Sequence, residues 1–511
     1  MKHLISNIAA VFILFTTWGC SDWLDINTDP NALADIPDPK VLLPAAEINL
    51  ANTLMGWDLG FGGGFFVEYW TQHYTASQFK ALCEYQPANY STAYRNMTSG
   101  VLKDLDVIRK KSADNENRAF YYIAEALSIY TWQILTDTWG NIPYSEALKG
   151  DEGIQGPKFD SGESIYADLL KRVDDLYATD LSGSYVPDAD TKYDFIFAGD
   201  LEKWQLFVNS LKLKLMMRLS ETTEYNNGAV LSFIENNEFL TTESARISGA
   251  VWSDGEEGKR HPMREFQAGG ASYLSTNVIA AKNFVDYLFV NNDPRLPKLF
   301  TAVGGVYRGA FFGDFDSRMD SDDNGTTDDK ESYSQAVFAG NMDIMIISHW
   351  ETNFYIAEVY ARAGNAGKAQ EYYEQGVQAS LAQHGIADKL ILEENGYAKW
   401  TGGSTEEMLH RIGMQKWVAH AYYQHTEAFL ERNRTKYPPV NDIDIKLDRR
   451  NAFANFPVGY LTISVNGRSR SNATLPASPI YPDNVLTRNP NAPSQKDDLF
   501  QKIWWDKKSG K

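Results

Sequence analysis

The chain has 511 residues, 43% of them hydrophobic and 23% charged, with a formal net charge of −19. That is enough apolar material for a large core and enough length for several domains, while the acidic balance and the lack of a Lys/Arg-rich run argue against nucleic acid as a partner. Aromatics reach 13%, with 13 Trp and 28 Tyr, an excess that suits either a Tyr-rich helical-repeat core or surfaces that stack on planar or sugar rings.

At the N-terminus, Lys2 and the apolar run over 8–18 read as a targeting segment, too short to span a bilayer. Thr17-Trp-Gly19-Cys20 then resembles a lipobox. This makes 1–19 a lipoprotein signal peptide and Cys20 the acylated residue; a plain secretory signal cleaved nearby is the alternative. Lipid would then hold the protein at a membrane. Cys83, the second of two cysteines, is left without a partner, so a buried structural thiol is expected. Residues 20–40 are polar, turn-rich and non-periodic, and read as a lipid-anchored tether.

From 41 to 237 the pattern is helical. Pro44 sits near the first turn of an opening helix, which the glycines at 60, 62, 63 and 64 are expected to end. Phe66, Tyr69, Trp70 and His73 follow at i, i+3, i+4, i+7 and read as the core face of a helix. The less periodic stretch 75–90 is aromatic-rich and is a better ligand candidate. Helices are expected over 88–111 and 116–138, the latter stopped by Gly140 and Pro143, with a partner over 163–178. A second pair is expected over 201–219 and 229–236.

Over 238–345 Gly, Asp and Ser rise and the periodicity fades, with one helix expected over 276–289. A long irregular insertion in a helical protein is usually functional. It carries a twelve-residue stretch from Asp320 to Glu331 that fits an EF-hand calcium loop. Asp320, Asp322 and Asn324 would bind through side chains, Thr326 through its carbonyl, Asp328 directly or through water, and Glu331 in bidentate fashion. Gly325 permits the sharp turn. Thr327 and the poorly helical flanks depart from a true EF-hand, so a lone structural calcium loop is expected; a solvated acidic turn is the alternative.

Residues 346–437 return to helix. Tyr360, Ala369, Tyr373 and Gly376 follow the tetratricopeptide pattern of large and small positions at fixed offsets, which lets two helices approach closely and obliges the pair to stack on neighbours. Ser404 and Glu407 read as a capping box. It opens a long helix through Ile412, Trp417, His420, Tyr423 and Phe429 to about Arg434, stopped by Pro438-Pro439. The tail, 438–511, is loop-rich, with room for a hairpin or two.

Enzyme signals are weak. There is no His-Glu-x-x-His, no Gly-x-Ser-x-Gly and no Gly-Lys-Ser/Thr phosphate loop, and no acidic pair stands out as a glycosidase dyad. Taken together, four stretches resemble the SusD/RagB family, in its second SusD-like branch: Asp25-Ile-Asn-Thr-Asp-Pro-Asn31; Asp137-Thr-Trp-Gly-Asn-Ile-Pro-Tyr-Ser-Glu-Ala147; Asp293-Pro-Arg-Leu-Pro297; and Gln415-Lys-Trp417 with Glu427-Ala-Phe429 and Arg434-Thr-Lys-Tyr-Pro438. The resemblance implies a mainly α fold, with tetratricopeptide-like helix pairs in a right-handed superhelical core and an irregular ligand-binding subdomain. It implies a surface-exposed outer-membrane lipoprotein of a Gram-negative bacterium, without catalysis, that delivers nutrient to a SusC-like TonB-dependent transporter. The usual ligand is an oligosaccharide; a peptide is the alternative. With the ligand face placed on loops outside the repeats, Tyr74, Phe79, Trp252, Tyr273 and Tyr307 are the candidates for stacking on sugar, each set against a role in packing.

Overall fold

The computed structural model describes residues 38–268, 278–315, 325–326 and 332–510. Cys20, Tyr273 and all of the calcium-loop donors except Thr326 lie outside them.

Helix α1 (Leu43–Leu54) starts with a proline in its first turn, as expected. The expected break at the glycine run is wrong. The chain re-enters helix as a π turn, Trp57–Phe61, and a short helix, Gly62–Phe66. These glycines serve close approach. A Cβ on Gly63 would lie 2.5 Å from the His425 carbonyl oxygen, and one on Gly62 2.1 Å from the Tyr90 phenol oxygen. The helical face expected from Phe66 to His73 also fails as a helix, although all four residues are buried. Glu68 takes φ +58 and ends the helix. Trp70–Gln72 becomes strand β1, every residue of it buried, and a continuous buried run of this length does not distinguish strand from helix.

The helical layers follow in chain order. A helical stretch from Ser91 runs into α2 (Lys103–Ser112), which packs on α3 (Ala119–Trp139). Gly140 at φ +83 ends α3. Strands β2 (Ile142–Pro143) and β3 (Phe159–Asp160) pair across the next loop. Then α4 (Gly162–Tyr177) packs on α3, α5 (Leu201–Arg218) on both, and α6 (Asn227–Glu235) on α5. Ser161, Asp200 and Asn226 cap the last three through their side chains.

The insertion is closed at its base by β4 (Ala245–Ile247) pairing antiparallel with β6 (Ile344–Ile347). Inside it, β5 (Val278–Ala280) pairs with β1, Trp70 opposite Ala280. The helix expected over 276–289 is found as α7 (Lys282–Val290), because Val278–Ala280 serve as strand.

The tetratricopeptide-like pair is α8 (His349–Arg362) and α9 (Ala366–Gln383), turned at Gly364 with φ +74. Ala369 and Tyr373 are fully buried, and a Cβ on Gly376 would meet the Phe354 ring at 2.8 Å, which is why that position is small. Ser404 and Glu407 form the capping box of α10 (Thr405–His420). The single long helix expected here is in fact two, with α11 (His425–Thr435) following a buried break. Tyr422 stands at φ +71, its amide donates to His425 Nε2 at 2.9 Å, and its hydroxyl donates to the Leu299 carbonyl at 2.5 Å. His425 Nδ1 donates to the Gly60 carbonyl at 2.9 Å. Tertiary bonds, invisible in the periodicity, set the break. In the tail, the strands β7 (Val440–Asn441) and β8 (Leu461–Thr462) pair in parallel, so they form no hairpin.

The layers are joined by charge as well as by apolar packing. Arg218 of α5 donates to Asp137 of α3 (3.0 Å) and to Glu427 (2.6 Å) and Glu431 (2.7 Å) of α11. Lys214 pairs with Glu351 of α8 and, at 2.5 Å, with Glu427. Arg434 reaches Glu358 and Glu431, and Lys416 of α10 meets Glu431 at 2.7 Å. All of these side chains are buried. Burial pushes the Glu358 carboxyl up, but Arg434 and Arg362 outweigh it and hold it at about 2.

Candidate functional site

The irregular segments bring several half-buried rings against the core. Trp57 stacks on Phe79 with ring centroids 4.5 Å apart, and Phe79 touches Phe61 and Phe65 at 4.9 and 4.8 Å. Phe79 is only 3% exposed. It is therefore a packing anchor and drops out of the ligand candidates. The Phe79 amide donates to Gln72 Oε1 at the end of β1, which leads to His73 and Tyr74. Tyr74 is half-buried and lies over the His73 imidazole at 4.3 Å; His73 in turn meets Tyr333 edge-on at 6.0 Å. The Arg308 guanidinium sits 5.1 Å over Tyr333, and Tyr307 beside it is half-buried.

Trp252 approaches from the other side of the insertion. It is half-buried and T-shaped against His261 at 5.9 Å. Burial pushes the His261 imidazole down to about 3, so the pair is an uncharged platform at neutral pH. The Trp252 Nε1 donor is buried with no partner among the described residues, an arrangement that favours an arriving acceptor. The helix after His261, Pro262–Ala268, packs on the Trp57–Phe61 turn. Tyr74 thus reaches Tyr333 through His73, Arg308 lies over that same ring, and the helix after the Trp252–His261 pair packs on the turn that holds Trp57. Sequence patterning singled out neither Trp57 nor Arg308.

Two clefts lie away from these rings. One of about 560 Å³ surrounds Trp132 and Tyr144 between α3, α4 and the β2–β3 loop. Its polar groups satisfy one another: Arg172 donates to Glu125 at 2.7 and 3.0 Å and to the Tyr144 hydroxyl at 2.9 Å, and Tyr144 donates to Asp168 at 2.5 Å. The other, of about 850 Å³, lies among α3, α4, α5 and α6. Of the calcium loop, Gly325 at φ +83 and an exposed Thr326 are described; that backbone geometry suits the sixth position of such a loop.

A SusD-like family described as starch-binding and associating with the outer membrane matches residues 30–454. The chain belongs to this SusD-like family. Solved structures agree on the fold. A chitin-binding protein is 21% identical with a TM-score of 0.70, over 92% of this chain and all of its own. A SusD homolog from Bacteroides uniformis is 21% identical with a TM-score of 0.69, over 91% and 99%. A chitin-binding SusD homolog from Flavobacterium johnsoniae is 17% identical with a TM-score of 0.70, over 92% and 99%. No curated protein matches. Of the four motif stretches, 25–31 lie outside the described residues, and the other three contribute buried scaffold residues. Asp137, Glu427 and Arg434 sit in the buried charge network, and Arg295 is fully buried between Asp293 and Gln415. These buried side chains hold the layers together.

Proposed function

We propose that this SusD-like protein captures an oligosaccharide at the outer surface of a Gram-negative outer membrane, does not cleave it, and passes it to a SusC-like TonB-dependent transporter. The observation that carries the reading is the set of half-buried rings, Trp57, Tyr74, Trp252 and Tyr307, that pack on the core of the helical scaffold. Such rings offer apolar faces to sugar C–H groups at low entropy cost, while Arg308 and the Trp252 indole nitrogen supply polar orientation. Calorimetry of the purified protein against a panel of neutral glycans tests it. One glycan class should bind, and Trp252→Ala and Tyr74→Ala should each weaken it about tenfold. Failure to bind any glycan would refute the capture role.

Anchoring through acyl chains on Cys20 belongs to the same proposal. It accords with the absence of any helix, among the described residues, long and apolar enough to cross a membrane. Cys20→Ala should release the protein from the membrane fraction. A structural calcium ion on the loop from Asp320 to Glu331 is supported by the donor spacing and by the Gly325 backbone. Chelation should lower the melting temperature, and Asp320→Asn should remove that response.

A further inference from the structure

Between Trp252 and Glu265, three buried polar atoms stand without a hydrogen-bond partner among the described residues: Trp252 Nε1, His261 Nε2 and Glu265 Oε2. They belong to neighbouring side chains. The Trp252 and His261 rings meet edge-on with centroids 5.9 Å apart. The Glu265 amide donates to the His261 carbonyl at 2.9 Å, one helical turn, and that spacing puts the two side chains on one face. Buried polar atoms without partners are rare, and each costs free energy that a matching group recovers. His261 is wholly buried, whereas Trp252 and Glu265 are half-buried, so the trio reaches the surface through the outer atoms of those two.

The hydrogen-bonding roles of the three are fixed. An indole can only donate. The Met263 amide donates to His261 Nδ1 at 3.2 Å, which puts the proton of the neutral imidazole on Nε2 and makes it a second donor. Glu265 accepts: Oε1 takes Arg260 Nη1 at 3.0 Å, and Oε2 is left over. Two donors and one acceptor sort the groups a ligand can bring. A carboxylate finds no spare cation, because Arg260 is held by Glu265 and Arg264 by Asp254, each at 3.0 Å, and it adds negative charge beside Glu265. An ammonium offers nothing to the two N–H groups. A lone hydroxyl requires all three atoms to converge on one oxygen, whereas rings 5.9 Å apart and a carboxylate one turn away are spread for a longer group. A secondary amide meets the set: its oxygen has two lone pairs for the two donors, and its N–H donates to Glu265 Oε2.

We propose that Trp252, His261 and Glu265 form a subsite that reads a secondary amide on the captured glycan, the acetamido group of an N-acetylated sugar. The acetyl methyl lies against the apolar indole, and the sugar ring continues onto the neighbouring aromatics. The sugar body rests on the glycan reading above; the amide preference rests on these three side chains alone.

The test uses the full chain and calorimetry at physiological salt. Three trisaccharides share one backbone: an N-acetylglucosamine trisaccharide, its counterpart with free amines, and the cello-trisaccharide with hydroxyls in the same place. An N-acetylated dialanine amide is the fourth probe. The acetylated trisaccharide should bind about tenfold more tightly than either counterpart. Trp252→Phe and His261→Phe keep a ring and remove the N–H; each should weaken the acetylated probe about fivefold and change the cello-trisaccharide by less than about twofold. Equal binding of the three trisaccharides, or an acetyl preference that survives both variants, overturns the amide subsite and leaves glycan capture standing. Tighter binding of the peptide amide overturns the sugar body. Binding of no saccharide overturns the capture role and the subsite together. Should His261→Phe fail to fold, isotope-labelled wild-type protein decides the matter by NMR: the indole N–H resonance that Trp252→Phe deletes should shift further with the acetylated probe than with the cello-trisaccharide, and equal shifts overturn the proposal.

Discussion

Replacing Glu431 by glutamine removes one negative charge with almost no change of shape. Its Oε2 lies 2.7 Å from Lys416 Nζ and 2.6 Å from Arg434 Nη2, and its Oε1 lies 2.7 Å from Arg218 Nη1 and 2.9 Å from Arg434 Nε. The two arginines would keep other carboxylates: Arg434 keeps Glu358 at 2.7 Å, and Arg218 keeps Asp137 at 3.0 Å and Glu427 at 2.6 Å. Lys416 would not. Glu431 is its only ion-pair partner among the described residues, and what remains is the Tyr355 ring 3.8 Å below the ammonium. Burial already holds Lys416 below the usual lysine range. In either orientation the glutamine would also turn its NH2 toward a cationic donor, Lys416 and Arg434 on one side or Arg218 and Arg434 on the other. Leaving a buried charge without its partner costs about 3–5 kcal/mol, and that is the expected loss in urea unfolding followed by tryptophan fluorescence at pH 7. Adding Lys416→Met to the Glu431→Gln variant should recover part of it, with a coupling energy on the order of 2 kcal/mol in the double-mutant cycle. A single-variant cost below about 1 kcal/mol, the value of an exposed pair, would refute the reasoning, as would two costs that simply add.

Three further outcomes are expected. Burial pushes the Glu68 carboxyl from 4.5 up to about 8; the native state then holds a proton that the unfolded chain releases, so the stability this group contributes is complete below pH 4.5 and is lost as pH rises toward 8. Glu68→Gln should flatten that loss, roughly 4 kcal/mol in full, in unfolding measured at pH 5, 6.5 and 8; a variant with the wild-type slope would count against it. Ser404→Ala removes the cap that accepts from the Glu407 amide at 3.3 Å and should cost about 1 kcal/mol by the same unfolding assay, with the Glu407→Ala loss no longer additive. Gly63→Ala places a methyl 2.5 Å from the His425 carbonyl oxygen, which is backbone and cannot turn aside; it should cost about 1–3 kcal/mol, whereas Gly150→Ala, with nothing within 4 Å, should be nearly neutral.

The helix pairs were legible because their apolar spacing and their caps are local. The register of α3, α4, α8 and α9, and the Ser404 capping box, needed nothing beyond neighbouring residues. The failures share one cause. The break after His420 and the helical path through the glycine run are set by the same distant contact, His425 against Gly60 and Gly63. Periodicity cannot see a partner 365 residues away. The charged motif residues gave no sign of their place: Asp, Glu, Lys and Arg default to the surface, and only the fold shows that Asp137, Glu427 and Arg434 meet Arg218 and Glu431 inside it. Among the aromatics, Phe79 and Tyr74 stand five residues apart in the same loop, yet one is core and the other half-buried. Composition could nominate both but could not separate them.

The salt bridges inside the scaffold also set what it can do mechanically. Helices held by aliphatic contacts alone can slip past one another by small steps, since dispersion has no preferred direction. Bonds from Lys416, Arg218 and Arg434 converging on one carboxylate do not survive such slippage. The stacked helices thus have a single resting register, like a keyed joint, and the β4–β6 pair roots the insertion on a frame that does not slide beneath it.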